Sequence, residues 1–340
     1  MGCNRKRLHR MTNIPISILE LVTVVEGGTF STAISNTVEV AKNAEKLGYK
    51  RIWMAEHHNM EYIASSATSV LIGHVAGKTN TIRVGSGGIM LPNHSPLVIA
   101  EQFGTLETIY PNRIDLGLGR APGSDQLTAM ALRRNQETAH NFPEDIRQLQ
   151  TYFSDENRNA KVRAFPGEGL DVPIWILGSS TDSAYLAAEM GLPYAFASHF
   201  APAQFRAAIK IYRNNFKPSD VLEKPYVMAC VNVLAADTDE EANVLLTSLI
   251  NLFVGIITNK RKPLKPGGKL PEVYQIPEVR QAVNNMLACT FYGSKETLNK
   301  NLSAFIEETE VDELMIASHI FDLETKLKSF SILHEALSVN

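Results

Sequence analysis

Short apolar runs alternate with amphipathic stretches of helical period along most of the chain. The runs at residues 16–21, 51–55, 82–86, 113–117, 173–177, 194–197, 226–234 and 313–317 are rich in Ile, Val, Leu and aromatic residues and read as buried strands. Between them, residues 32–47 place Ile34, Val38, Ala41 and Ala44 on one helical face, and Gly48 follows as a natural stop. Helices are likewise predicted over residues 69–77, 97–109, 126–134, 143–153, 182–190 and 202–215, from about residue 239, and over 323–337. Residues 155–171 carry no period. Eight strands separated by helices favour a (β/α)8 TIM barrel, although an open doubly wound sheet satisfies the same pattern.

The rhythm breaks at residues 258–277, where Pro263, Pro266, Gly267, Gly268, Pro271 and Pro277 stand among lysines. This predicts a mobile insertion of about residues 256–280 before the last strand, either a lid over the strand ends or a plain surface loop. Residues 13–340 are expected to form one barrel domain. Residues 1–12 are expected to be a disordered extension, basic but lacking the apolar core of a signal peptide, with Met11 an alternative start.

Composition excludes more than it selects. A net charge of -3 offers no electrostatic attraction to nucleic acid or a membrane surface. Cys3, Cys230 and Cys289 are too far apart for a zinc knuckle and odd in number, which fits a reducing, cytoplasmic compartment. No uninterrupted apolar run reaches the roughly 20 residues that span a bilayer.

Candidate chemistry gathers at the predicted strand ends, where barrel enzymes carry their active sites. Glu56, His57 and His58 follow the second strand, and a carboxylate beside two imidazoles suits either proton transfer or a metal. Gly85, Ser86, Gly87 and Gly88 end the third strand, as a tight turn or as a surface that backbone shares with a flat ligand. Arg120 follows the fourth; it could clamp an anion or pair with Asp115 or Asp125. Its glycine-rich surroundings, Gly117 to Gly123, have the wrong spacing for a dinucleotide fingerprint. Ser179, Ser180, Asp182 and Ser183 open the helix after the fifth strand, as a phosphate cradle or as ordinary N-caps. His94, His199 and His319 also lie near strand ends, but the first strand has no His-x-His pair and the last no aspartate, so no metal site is predicted.

Taken together, residues 48–59 (GYKRIWMAEHHN), 83–96 (RVGSGGIMLPNHSP), 100–103 (AEQF), 113–120 (RIDLGLGR) and 187–193 (AAEMGLP) resemble the bacterial luciferase-like flavin monooxygenases, in the subgroup with a Gly-Arg-Ala-Pro-Gly signature. The resemblance runs from about residue 14 to 200 and more loosely onward. It implies a (β/α)8 barrel that binds reduced FMN, supplied by a separate flavin reductase, and uses dioxygen to oxygenate a small apolar substrate such as an aldehyde. It further implies a homodimer, formed through early helices such as 69–77 and 97–109. By the same resemblance, His57 is the histidine needed for activity and Glu56 lies near the flavin, while His58 is structural. Gly87 and Gly88 would form a non-proline cis peptide under the flavin ring. Arg120 would grip the FMN phosphate, with Ser179, Ser180 and Ser183 completing that site. Light-emitting members carry a glutamate where Ser179 stands and a cysteine where Gly119 stands, so light emission does not carry over. A deazaflavin-dependent oxidoreductase and a non-catalytic flavin-binding protein on the same barrel are the alternative readings.

Overall fold

A computed structural model describes residues 14–121, 125–134 and 140–338. The expected extension, residues 1–12, lies outside them, as do Pro122 and Gly123 of the signature. The elements in order are β1 (Ile16–Glu20), α1 (Phe30–Lys46), β2 (Arg51–Met54), α2 (Thr68–Ala76), β3 (Arg83–Met90), α3 (Pro96–Ile109), β4 (Ile114–Gly119), α4 (Gln126–Ala131), α5 (Phe142–Phe153), β5 (Ile174–Gly178), α6 (Thr181–Met190), β6 (Tyr194–Phe196), α7 (Phe205–Asn215), β7 (Val227–Ala235), α8 (Asp239–Ile257), α9 (Pro277–Met286), β8 (Thr290–Gly293), α10 (Lys295–Thr309), β9 (Glu313–Ala317) and α11 (Leu323–Leu337).

The strands pair in the order β6-β5-β4-β3-β2-β1-β9-β7, and β6 pairs with β7 to close the ring. Every pairing between these strands is parallel, so the fold is a (β/α)8 barrel. All eight predicted strands are its staves. A ninth, β8, attaches to the upper part of β7, pairing Asn232 with Thr290.

Side chains alternate along a strand, so each stave sends one parity inward and the other outward. Leu19, Trp53, Trp175, Ala195, Met228, Cys230, Met315 and Ala317 form the apolar interior cluster. The opposite parity, such as Ile18, Ile52, Val84, Ile176, Ala229 and Ile316, packs beneath the helices. α8 is 19 residues long with a mean hydropathy of 1.4, long and apolar enough by composition to cross a membrane, contrary to the expectation that no segment would be. Its Leu249, Phe253 and Val254 pack with Leu234, Val283 and Ile320, so that side of the helix contributes to the core.

Below the apolar layer, at the N-terminal ends of the strands, lies a polar plug whose centre, Arg51, Asp115 and Glu313, is buried. Arg51 reaches Asp115 at 2.7 Å and Glu313 at 2.9 Å. Its guanidinium packs against both the Trp53 and Trp175 rings, which meet edge to face. Trp53 Nε1 and Arg83 donate to Asp115, while Ser17 and Tyr226 donate to Glu313.

β3 runs four residues beyond its predicted end. Its glycines do not form the expected tight turn: Ser86 Oγ donates to Gly117 O at 2.9 Å and accepts from Gly117 N at 3.0 Å, stitching β3 to β4. The Gly87–Gly88 peptide is cis, and the register with β4 shifts between Gly87 and Ile89. Both glycines face the barrel interior. A Cβ at Gly87 would sit 2.8 Å from Leu19 Cδ1, and one at Gly88 2.3 Å from Leu177 Cδ1.

Within the expected insertion, Leu264 is buried and bridges to Val25 beyond β1, with Glu26 N donating to Leu264 O at 2.9 Å. Lys265 pairs with Glu26 at 2.6 Å. The segment therefore packs beside the C-terminal mouth of the barrel, and its last residues begin α9.

Candidate active site

His57 follows β2, His199 follows β6 and His319 follows β9, while Asn232 stands on β7 in phase with Cys230. Polar residues thus gather at the C-terminal ends of β2, β6, β7 and β9. β3 and β4 contribute Gly87, Gly88, Gly117 and Gly119, whose lack of Cβ lets Leu19, Leu177 and Met90 lie directly against the strand backbone.

Glu56 is buried at the junction of β2 and β3. It accepts from His58 Nε2 at 2.8 Å, Met90 N at 2.9 Å, Asn93 Nδ2 at 3.0 Å and His94 Nε2 at 3.0 Å. Burial pushes its pKa upward, but the hydrogen bonds from His58, His94 and Asn93 outweigh it and hold the group at about 2. Glu56 is therefore a permanent anion that fastens the end of β3, just beyond the glycine pair, to β2. It orients its neighbours and has no proton to exchange near neutral pH. His58 belongs to this anchor, consistent with its structural reading.

His57 is half-buried, its backbone N–H donating to Ser65 O at 3.0 Å. Its charge and that of His319 both act on the buried His199. Burial, reinforced by these neighbours, lowers His199 to about 3; burial and the Lys326 charge lower His319 to about 4. Both rings are neutral at neutral pH. His94 does not join them, since it is bound to Glu56.

Arg120 follows β4, exposed, and its guanidinium donates to Asp182 Oδ2 at 3.2 Å. The pairings with Asp115 or Asp125 expected as the alternative do not form: Asp115 belongs to the plug, and Asp125 caps α4 through Thr128 N. Ser180 is the N-cap residue of α6, but its side chain makes no capping bond. The first helical N–H, of Thr181, instead donates to Gln204 Oε1 at 3.0 Å. Ser183 points inward, donating to Ser180 O at 2.8 Å and meeting Tyr194 OH at 2.9 Å. A Cβ on Gly178 would lie 1.8 Å from Ser183 Oγ, so the glycine makes room for this brace. Ser179 is exposed.

Two residues that sequence patterning does not single out, Asn93 and Arg134, join the halves of the site. Arg134 Nη2 donates to Arg120 O at 2.6 Å, and Nη1 donates to Asn93 Oδ1 at 3.2 Å. A continuous chain therefore runs from Glu56 through Asn93 and Arg134 to the Arg120 loop. A basic residue at the end of α4 is the available signal, but nothing local says where it points. Among the described residues, no group of three His, Cys, Asp or Glu side chains is arranged to hold a metal.

These parts fit a flat, phosphate-bearing cofactor. The glycine-lined backbone of β3 and β4 suits close approach of a ring system, and an exposed arginine beside a helix start whose own N-cap side chain makes no bond suits a phosphate.

The family model for luciferase-like monooxygenases matches residues 16–312. A luciferase-like monooxygenase of Escherichia coli K12 is 49% identical over 320 residues, 94% of this chain and 96% of that protein. The N-acetyl-S-alkylcysteine monooxygenase of Bacillus subtilis is 32% identical over 333 residues, 95% of this chain and 98% of its own. The crystal structure of apo-MsnO8 superposes with a TM-score of 0.84 at 31% identity, covering 95% of this chain and 98% of that one. At 18% and 14% identity, an FMN-bound type II Baeyer-Villiger monooxygenase from Pseudomonas putida (TM-score 0.70) and an F420-dependent secondary alcohol dehydrogenase (0.71) share the fold. The chain belongs to the luciferase-like monooxygenase family.

Proposed function

We propose that this chain is the oxygenating component of a two-component flavin system. It would take reduced FMN from a separate reductase and oxygenate a small, largely apolar substrate with dioxygen. The observation that carries this reading is the pairing of the Gly87–Gly88 backbone, which faces the barrel interior, with the exposed Arg120 beside the start of α6. Arg120 and the first turn of α6 would hold the phosphate, with Asp182 giving way and Ser183 bracing the turn from behind. When bound, the flavin supplies the oxygen chemistry.

The protein's part is positional and protonic. Glu56, fixed as an anion, holds the end of β3 and hence the ring face in place. The interior layer of Leu19, Trp53 and Trp175 closes the floor and excludes water. His57, on the rim, is placed to give or take a proton at the reacting atoms. Exposed Val70, Val98 and Ile109 on α2 and α3 supply an apolar face for a homodimer. The apolar lining and the named bacillary relative point to substrates with an alkyl chain beside the oxidised atom, an aldehyde or an S-alkyl thioether.

The test is a titration with FMN, oxidised and reduced, on wild type and Arg120→Ala. It is followed by turnover with a flavin reductase, 18O2 and either a straight-chain aldehyde or an N-acetyl-S-alkylcysteine. FMN binding that weakens in Arg120→Ala, together with one labelled oxygen in the product, supports the reading. Tighter binding of F420 than of FMN, with oxygen-independent hydride transfer, would replace it by the deazaflavin alternative. Arg120-dependent FMN binding without turnover of any probe would leave a flavin-binding protein.

A further inference from the structure

We propose that Arg134 is a positioning residue for the cofactor: it ties the phosphate-side residue Arg120 to the ring-side anchor Glu56, and so presets the phosphate grip at a fixed span from the ring face. This rests on the function proposed above, in which Arg120 holds the phosphate and the Gly87–Gly88 backbone carries the ring.

Arg134 is one link in a strut with an anion at its far end. Glu56 accepts from Met90 N at 2.9 Å, which fixes the end of β3, and from Asn93 Nδ2 at 3.0 Å. Asn93 Oδ1 accepts from Arg134 Nη1 at 3.2 Å, and Arg134 Nη2 donates to Arg120 O at 2.6 Å. A carboxylate only accepts and a guanidinium only donates, so the Asn93 amide must turn its NH2 to Glu56 and its oxygen to Arg134. Both of its bonds are therefore charge-assisted, and the strut has a single polarity.

The strut takes over where the sheet stops. The register of β3 with β4 ends at Met90 and Gly119, so Arg120 stands just past the last paired residue. Arg134 supplies the hydrogen bond that holds the Arg120 carbonyl beyond that point. The two planar N–H edges of the guanidinium serve two acceptors on different loops, which suits arginine better than lysine.

The backbone is shaped to aim this side chain. Arg133 has a φ of 58°, its N–H donates to Met130 O at 2.9 Å, and Arg134 N–H donates to Ala129 O at 2.9 Å. That is a Schellman ending of α4, with an arginine at the left-handed position that glycine usually takes. The strain is accepted where it turns Arg134 toward Arg120 and Asn93. A second tie keeps α4 beside the ring-side loop: Asn59 Nδ2 donates to Thr128 Oγ1 at 3.0 Å. A ligand that bridges two loops binds more tightly when their spacing is set before it arrives.

The test compares the affinities of FMN and riboflavin, which share the ring and differ by the phosphate, in fluorescence titrations. The proteins are wild type, Arg134→Met, Arg120→Ala, the double variant, Arg134→Lys and Asn93→Ala. Arg134→Met should weaken FMN by about 5- to 20-fold and riboflavin by less than about twofold. Asn93→Ala, which removes the next link, should lower the FMN preference by about threefold, and Arg134→Lys should restore part of what Arg134→Met loses. The double variant should bind FMN within about twofold of Arg120→Ala alone, because Arg134 acts through Arg120. These last three variants decide the matter if Arg134→Met does not fold. Equal losses for FMN and riboflavin, or no loss of FMN, overturn the proposal; so does a double variant whose loss is the product of the two single losses, since Arg134 would then meet the phosphate on its own. A wild type that does not prefer FMN to riboflavin, or a preference unchanged in Arg120→Ala, sinks the functional reading instead.

Discussion

The two poles of this barrel are built from similar polar residues and use them in opposite ways. At the N-terminal pole, Arg51, Arg83, Asp115, Glu313, Tyr226 and Ser17 satisfy one another behind the two tryptophans. At the C-terminal pole Glu56 and Glu20 are satisfied in that way, but their neighbours are not. Arg120 and Asp182 form an exposed pair, the Ser180 side chain makes no capping bond, and His199 Nδ1 and Asn232 Oδ1 have no hydrogen-bond partner among the described residues. A closed polar network gives rigidity and nothing to bind; residual hydrogen-bonding capacity on a rigid scaffold is where a ligand can attach. Glu56 marks the border, a saturated anion whose work is to hold the open half in shape.

The contrast is tested most severely at the plug. Arg51→Met leaves Asp115 and Glu313 buried with less compensation and is expected to cost about 3–5 kcal/mol in urea denaturation. A cost under about 1 kcal/mol would mean that this pole is not the sealed one. Next comes Glu56. Its pKa of about 2 lies below the ordinary 4.5, so the carboxylate contributes stability that is fully present above about pH 4.5 and lost as pH falls toward 2. Wild type should lose about 2–3 kcal/mol through this group across that window, and Glu56→Gln should lack that part of the acid sensitivity. Equilibrium unfolding of both proteins from about pH 5 to 2 measures it.

Arg120→Ala should weaken FMN binding by about 10- to 100-fold, the scale of a lost charge-assisted hydrogen bond, with little change in melting temperature. A large loss of stability instead would place Arg120 on the structural side of the divide. The smallest effect is at Asp182. Asp182→Asn removes a carboxylate that competes with phosphate for an exposed arginine, so FMN should bind more tightly by about two- to fivefold, and less so at high salt. Weaker binding would show that Asp182 helps rather than competes.

Much of the barrel is legible in the linear pattern of residues. All eight staves are short apolar runs, and the helix predicted over residues 323–337 coincides with α11 at both ends. The glycine-rich end of β3 misleads, because glycine is a poor strand former and a good turn former. Pairing with β2 and β4, including the Ser86 stitch, overrides that preference. β8 escapes prediction because its four residues, two half-buried, one exposed and one buried, carry no alternation. α10 escapes it although Leu298, Leu302, Phe305 and Ile306 keep helical spacing behind the Ser294 cap, because the irregular stretch before it hides the resumption of the rhythm.

Local patterning dictates the alternation of elements, and with it which residues share a face of each strand, because side-chain parity is a local property of an extended chain. It also sets Glu56, His57, Arg120 and the serine-rich turn at strand ends. Which columns meet is a matter of tertiary structure alone. Barrel closure brings residues 57, 199 and 319 to one mouth, turns Asp182 rather than Asp115 or Asp125 toward Arg120, and sends Arg134 to join Arg120 with Asn93. Those are contacts between segments tens to hundreds of residues apart. They depend on the curvature and register of the whole sheet, which no local pattern encodes.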